Sequence, residues 1–318
     1  MKEKEKRMRI LVIGAGVIGS NLAADLFASG QDVTILARGR WADTLMQQGL
    51  TVKSAFFPGK KTYRIPVLRE LKPDDRYDIV FVVMRYTQVE SVFDALNANA
   101  SENIVLVGNN LSPEACVRKL PGKNVLFAFY MAAGHRETDR VVSFSMKKIT
   151  IGQLQGSPPN EKLIGEIFNG TKIKAVYEPN MGDYLLCHAA FVTPIAFACY
   201  RCDGDLKRIK RDKTYLNQII DANIEGYRAI ESAGHAILPA TDRDYTGSRY
   251  RRLCYTMYKL MCATKIGKVC ASDHALNAVE EMSALNEGLK RFYAEHHASV
   301  PMYLALETDA EKYLTIRE

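Results

Sequence analysis

The chain is 318 residues long, 47% hydrophobic and 25% charged, with a mean hydropathy of −0.15, which excludes a disordered or fibrous protein. Its 43 Lys and Arg against 36 Asp and Glu leave a net charge of +7, with no continuous basic block. At roughly 150 residues per domain two domains are expected, and cores of that size need no disulfide or structural metal.

The start, Met1 to Arg7, alternates Lys and Glu and has no apolar run of signal-peptide length. The longest apolar stretches, Ile10 to Ile18 and Ile79 to Met84, fall short of the roughly 18 residues of a membrane span, so a cytoplasmic protein free of membrane is expected. From Arg9 to about Ala128, short apolar runs alternate with amphipathic ones, as in a parallel sheet covered by helices. Strands are predicted at Ile10 to Ile13, Asp32 to Ala37, Ile79 to Met84, Ile104 to Val107 and Val125 to Phe129. Helices are predicted at Val17 to Ser29, Arg40 to Gln48, Thr87 to Leu96 and Pro113 to Lys119, with extended chain from Thr51 to Val67 around a Pro58-Gly59 turn.

Beyond Phe129, Val141 to Ile151 alternates like a strand pair, and a short helix at Glu161 to Asn169 precedes a strand at Ile173 to Tyr177. After Pro179 the pattern is helical: Asp183 to Tyr200, Asp212 to Ala233, Gly247 to Ile266, Ser272 to His296 and Met302 to Tyr313. The fold class is therefore α/β, an N-terminal Rossmann domain over residues 1–179 followed by an all-helical domain over 180–318.

Within the helical half, the basic run Lys207, Arg208, Lys210, Arg211 and Lys213 is edged by Asp205 and Asp212 and has no aromatic stacking platform, so it is expected to be a solvated helix end, not a nucleic-acid site. The seven cysteines include a lone Cys199-x-x-Cys202 and are expected to be buried reduced thiols. Cys254, Cys262 and Cys270 drift by roughly 80° per step on a helix, too far for one metal face, and adjacent His296 and His297 point apart; no metal is expected.

Gly14-Ala15-Gly16-Val17-Ile18-Gly19 follows the first strand and opens the first helix. Gly14 permits the tight turn, Gly16 lets the backbone approach a diphosphate, and Gly19 lets helix pack on strand. The helix N-terminus offers free N–H groups to the anion. Strand, motif, helix and second strand arrive within about thirty residues, the context that makes this a dinucleotide fingerprint. Where an acid would hold an unphosphorylated ribose, the chain reads Leu36-Ala37-Arg38-Gly39-Arg40, and Arg38 offers a fork suited to a phosphate, so NADPH is expected over NADH. Two more segments leave strands at their carboxyl ends, where such sheets bind ligands: Met84-Arg85-Tyr86-Thr87-Gln88 and Gly108-Asn109-Asn110. Met84, Arg85, Gln88 and Asn109 are candidate cofactor contacts. Arg85 suits a phosphate or carboxylate, and the Asn109 amide both donates and accepts.

These residues together resemble the ketopantoate reductase family, two-domain NADPH-dependent enzymes, over essentially the whole chain. The resemblance rests most on the Ile13-to-Gly19 run and on Arg38. It implies hydride transfer from NADPH to the carbonyl of a small 2-oxo acid such as 2-dehydropantoate, and a homodimer paired through the helical domains. It places Arg85 where the family has a lysine, and Asn109 at the family's asparagine. Anchoring on Thr193-Pro194 puts Leu185 at the catalytic lysine, with Ala189 and Thr193 at two asparagines. Glu281 takes the place of the glutamate that binds substrate.

Leucine cannot donate a proton to the oxygen that gains charge as hydride arrives. His188, about one helical turn away, is the candidate replacement, since imidazole titrates near neutral pH. The expected catalytic set is His188, Glu281, Asn109 and Arg85. Asp183 is expected as a helix N-cap, and Ser272 as another with Asp273 in the first turn, although Asp273 or His274 could face the site. Two rival readings are a dinucleotide-binding regulatory protein that lost catalysis, favoured by Leu185, and an opine-type dehydrogenase joining an amine to a 2-oxo acid.

Overall fold

The computed structural model describes residues 7–314; the charged start read above lies, except for Arg7, outside them. The chain divides into two units. One comprises residues up to Gly108 together with Ser112–Met181; the other comprises Asn109–Leu111 and everything from Gly182 onward.

In the first unit, ten strands among the described residues form one sheet. They are β1 Arg9–Ile13, β2 Asp32–Leu36, β3 Leu50–Ser54, β4 Lys60–Tyr63, β5 Val67–Leu68, β6 Ile79–Val82, β7 Asn103–Val107, β8 Asn124–Arg136, β9 Val141–Gly152 and β10 Lys174–Glu178. The helices are α1 Val17–Ala28, α2 Gly39–Gln48, α3 Phe93–Ala98, α4 Pro113–Lys119 and α5 Glu161–Phe168. The segment predicted as one helix from Thr87 to Leu96 is a 3₁₀ turn, Val89–Val92, running into α3. Strands β5, β2, β1, β6, β7 and β8 lie side by side and parallel, a Rossmann order. Central strand β6, and β1 from Ile10 onward, are unbroken buried apolar runs, as expected where helices cover both faces of such a sheet. The chain leaves β1 toward β2 on one side and returns to β6 on the other, which opens a crevice at their carboxyl ends.

Residues 141–151, expected as a strand pair, form part of the single long strand β9, antiparallel to the similarly long β8. The opening of β9 pairs with β3 and its far end with β10, so the strand serves two partners. A register shift between Tyr130 and Ala132 and a left-handed Lys147 (φ 50°) bend the ribbon between them. The sheet thereby curls into a half-barrel around α1, which packs on β2, β3, β8 and β9. This explains why α1 buries even Ser20 and Asn21. Asn21 accepts from Ser143 Oγ of β9 at 2.9 Å.

The second unit is helical: α6 Met181–Arg201, α7 Lys213–Ser232, α8 Ser248–Ala263, α9 Lys265–Gly267, α10 Asp273–Asn277, α11 Val279–Glu295, α12 Pro301–Thr308 and α13 Glu311–Leu314. α6 is long and apolar enough to cross a membrane by length and composition alone, but 67% of that window is buried in the protein, as in a core helix. The helix predicted from Ser272 to His296 is interrupted at Ala278 (φ −128°, ψ 36°), after a π-helical stretch at Lys268–Ser272. The described cysteines are free thiols, six of them buried. The basic side chains from Lys207 to Lys213 are exposed, around a 3₁₀ turn at Leu206–Ile209 that leads into α7, whose N-terminus Asp212 caps by accepting from Tyr215 N–H at 2.9 Å.

Candidate functional site

The loop between β1 and α1 is built by the three glycines for three different reasons. Gly14 has φ 98°, and a Cβ there would lie 2.3 Å from the carbonyl oxygen of Val83. At Gly19 a Cβ would lie 1.9 Å from the oxygen of Gly14, so its absence lets α1 close on the turn. Gly16 is exposed, has φ −73°, and a Cβ there would meet nothing within 4 Å. Packing within the protein therefore does not explain Gly16, whereas a group seated against the loop would. The helix behind it begins without any side-chain cap. Its first N–H groups are the donors an anion takes up, and the loop fits a diphosphate.

Ala15, within the loop, is buried, and its carbonyl accepts from Trp41 Nε1 at 2.9 Å and from Ser20 Oγ at 3.2 Å. Val17 and Ile18 are half-buried at the start of α1. Arg38 sits where β2 ends, exposed, just before the turn at Gly39 (φ 58°) that opens α2. At the end of β6, the side chain of Met84 reaches within 3.4 Å of where a Gly14 Cβ would be. Arg85 is half-buried, and its carbonyl accepts from the N–H of exposed Gln88 at 2.8 Å in a tight turn. Glycine loop, Arg38 and Met84-to-Gln88 thus all lie at carboxyl ends of neighbouring parallel strands.

In the second unit, Asn109 and Glu281 meet across 172 positions of sequence: Asn109 Nδ2 donates to Glu281 Oε1 at 3.2 Å, both residues buried. The interruption at Ala278 matters here. It puts Glu281 in the first turn of α11, where the helix dipole favours a buried carboxylate. Leu111 lies against Gly288 one side of the same helix, where a Cβ would come within 2.7 Å of its Cδ1.

His188 lies on α6, stacked on Tyr184 with ring planes 3° apart. Burial, and then the imidazole of His274, push its pKa down to about 4, so in the ligand-free protein it is neutral at pH 7. The expectation of a His188 that titrates near neutrality therefore does not hold for the ligand-free protein. Leu185 is buried, 1% exposed.

Two expected caps are not caps. Asp183 lies inside the first turn of α6, and its carboxylate accepts from Ala236 N–H at 2.8 Å and pairs with His235 Nδ1 at 2.7 Å. Ser272 ends the π-helical stretch with helical dihedrals, and its hydroxyl points to Cys199 Sγ at 3.7 Å. In both cases a tertiary partner outcompetes the local backbone. Trp41 and His235 carried no signal in the sequence beyond the rule that a buried indole N–H needs an acceptor.

A Rossmann sheet with a glycine cradle at its switch point, joined to a helical second unit, defines the class of the dinucleotide-fold proteins. A sequence profile described as ketopantoate reductase PanE/ApbA matches residues 10–156. The 2-dehydropantoate 2-reductase of Pyrococcus abyssi is 24% identical over 226 residues, 70% of this chain and 73% of that one. Among solved structures, D-mandelate dehydrogenase with NADH and anilino(oxo)acetate superposes with a TM-score of 0.76 at 14% identity, covering 96% of this chain and 98% of that one. A dimeric ketopantoate reductase from Staphylococcus aureus gives 0.73 at 16% identity, covering 96% and 98%. Over residues 10–156 the chain is similar to the ketopantoate reductase family.

Proposed function

We propose that the chain is an NADPH-dependent reductase that converts the carbonyl of a small 2-oxo acid, 2-dehydropantoate or a related acid, to a hydroxyl. The observation that carries this reading is the cradle at Gly16, open to solvent and to any Cβ, beside an exposed Arg38 at an acid-free end of β2. The loop Gly14 to Gly19 holds the diphosphate on the α1 N-terminus, Arg38 pairs with a 2′-phosphate, and Met84, Arg85 and Gln88 border the coenzyme. The bound nicotinamide supplies the hydride. Asn109, held by Glu281, orients the reacting centre, and Glu281 accepts a hydrogen bond from a substrate hydroxyl or amine. His188, neutral without ligand, gains its proton beside the substrate's carboxylate, which favours the imidazolium, and passes it to the carbonyl oxygen. The similar dimeric ketopantoate reductase from Staphylococcus aureus supports a homodimer here too.

Titration calorimetry with NADPH and NADH, followed by NADPH oxidation over a panel of 2-oxo acids with and without amines, tests this. Tighter NADPH binding and turnover without amine are expected. Arg38→Ala should weaken NADPH by about 10- to 100-fold, the worth of a charge-assisted hydrogen bond, and leave NADH unchanged. Equal affinity for the two in the wild type sinks the phosphate role of Arg38. The buried Leu185 favours a second reading, a regulatory protein that binds the dinucleotide without turnover, which an idle panel would support. Turnover only with amines would mark an opine-type dehydrogenase.

A further inference from the structure

Trp41 is the chain's single tryptophan, and its indole is 9% exposed. It stands in the first turn of α2, three residues beyond Arg38, and the left-handed Gly39 between them turns the chain sharply from β2 into the helix. The indole N–H is spent on one acceptor, the Ala15 carbonyl, at 2.9 Å, and Ser20 Oγ donates to the same oxygen at 3.2 Å. The outer face of the ring is covered by the guanidinium of Arg136, 5.1 Å from its centroid.

A peptide unit is planar and trans, so its C=O and N–H point in opposite directions. Fixing the Ala15 oxygen inward therefore fixes the Gly16 N–H outward, at the exposed glycine where the loop is open to a ligand. Turning that peptide over would leave the indole N–H without an acceptor in a buried position, which is costly. We propose that Trp41 is a positioning residue for dinucleotide binding: it locks the Ala15–Gly16 peptide so that the Gly16 N–H is presented to the diphosphate before the ligand arrives. The inference rests on the dinucleotide reading above and deepens it. It also assigns α2 a double task, since the same turn that carries Arg38 to the 2′-phosphate carries Trp41 to the glycine loop.

The diphosphate is common to NADH and NADPH, and this separates Trp41 from Arg38. Trp41→Phe keeps an aromatic ring of similar bulk and loses the N–H. Calorimetry should show the dissociation constants for NADH and NADPH both raised by the same factor, about three- to tenfold, the range of one hydrogen bond. In turnover the KM for the dinucleotide should rise more than kcat falls, as when binding common to ground and transition states is removed. Ser20→Ala, which removes the second donor to Ala15, should act in the same direction and serves if Trp41→Phe does not fold. In the wild type, quenching of the sole tryptophan's fluorescence should report loading of the loop. Variants that bind both dinucleotides as tightly as the wild type, or a Trp41→Phe that loses thermal stability alone, would overturn the proposal. A wild-type chain that binds neither dinucleotide would overturn the cofactor reading itself, and the role of Trp41 with it.

Discussion

At Gly16 and Gly19, three positions apart in one motif, the same substitution has opposite expected consequences. Gly16 has an ordinary φ and empty space where a Cβ would stand. Gly16→Ala should therefore leave the fold intact or stabilise it by about 0.4–1 kcal/mol, by restricting the unfolded chain. Its dinucleotide affinity should nevertheless fall by about tenfold or more, since the methyl occupies the approach to the loop. Gly19→Ala drives a Cβ into the Gly14 carbonyl and should cost on the order of 1–3 kcal/mol before any ligand is present. Denaturant melts beside calorimetric titrations separate the two effects. A Gly16→Ala variant that binds normally would remove the cradle from the argument. The motif was legible because spacing between strand and helix identifies it; which of its glycines packing requires is decided by the close approach of the Val83 and Gly14 carbonyls, which no spacing encodes.

At the scale of the element, α6 runs through Pro194, a residue that removes an N–H and leaves the Ala190 carbonyl without its usual partner. Asn223 of α7 takes over: its Nδ2 donates to Ala190 O at 3.3 Å and to Phe191 O at 2.9 Å. Its own Oδ1 accepts from buried Tyr258 of α8 at 2.6 Å. One amide thus joins three helices at the point where the hydrogen-bond ladder of the first lacks a donor. Asn223→Ala should destabilise the protein by roughly 1–3 kcal/mol for each buried group left unsatisfied, with Tyr258→Phe costing less. Equilibrium unfolding in urea measures both, and an Asn223→Ala midpoint equal to the wild type would refute this account. The helix α6 itself was readable from periodicity, proline included. The interruption at Ala278 was not, because no glycine or proline marks it and every residue from Ser272 to His296 tolerates a helix.

For the molecule as a whole, His188 ties stability to pH. Its folded pKa, held down to about 4 by burial and by His274, lies below the roughly 6.5 of a free imidazole. Between those values the unfolded chain binds a proton that the folded chain does not. This contribution is therefore complete above about pH 6.5 and is lost as pH falls toward 4, on the order of 2–3 kcal/mol. Unfolding free energies at pH 7 and pH 4.5 should differ accordingly, and His188→Gln should flatten the difference. An unchanged pH dependence in the variant would show that His188 titrates alike in the folded and the unfolded chain, and would refute this account. A bound oxo acid should oppose the loss, because its carboxylate favours the charged ring.

Local pattern alone determined the parallel half of this protein. Apolar runs of strand length, helical periodicity between them and glycines at fixed spacing are properties of neighbouring residues, and the acid-free turn at Arg38 belongs to the same short stretch. The long helices after Pro179 followed from periodicity in the same way. Only tertiary structure decided the curl of the sheet around α1, the transfer of Asn109–Leu111 to the helical unit and the meeting of Asn109 with Glu281. It alone also gave Asp183, Ser272 and Trp41 the partners they have. Those contacts join residues far apart along the chain, and each polar group settles on the partner that burial leaves it, a choice that periodicity and spacing do not encode.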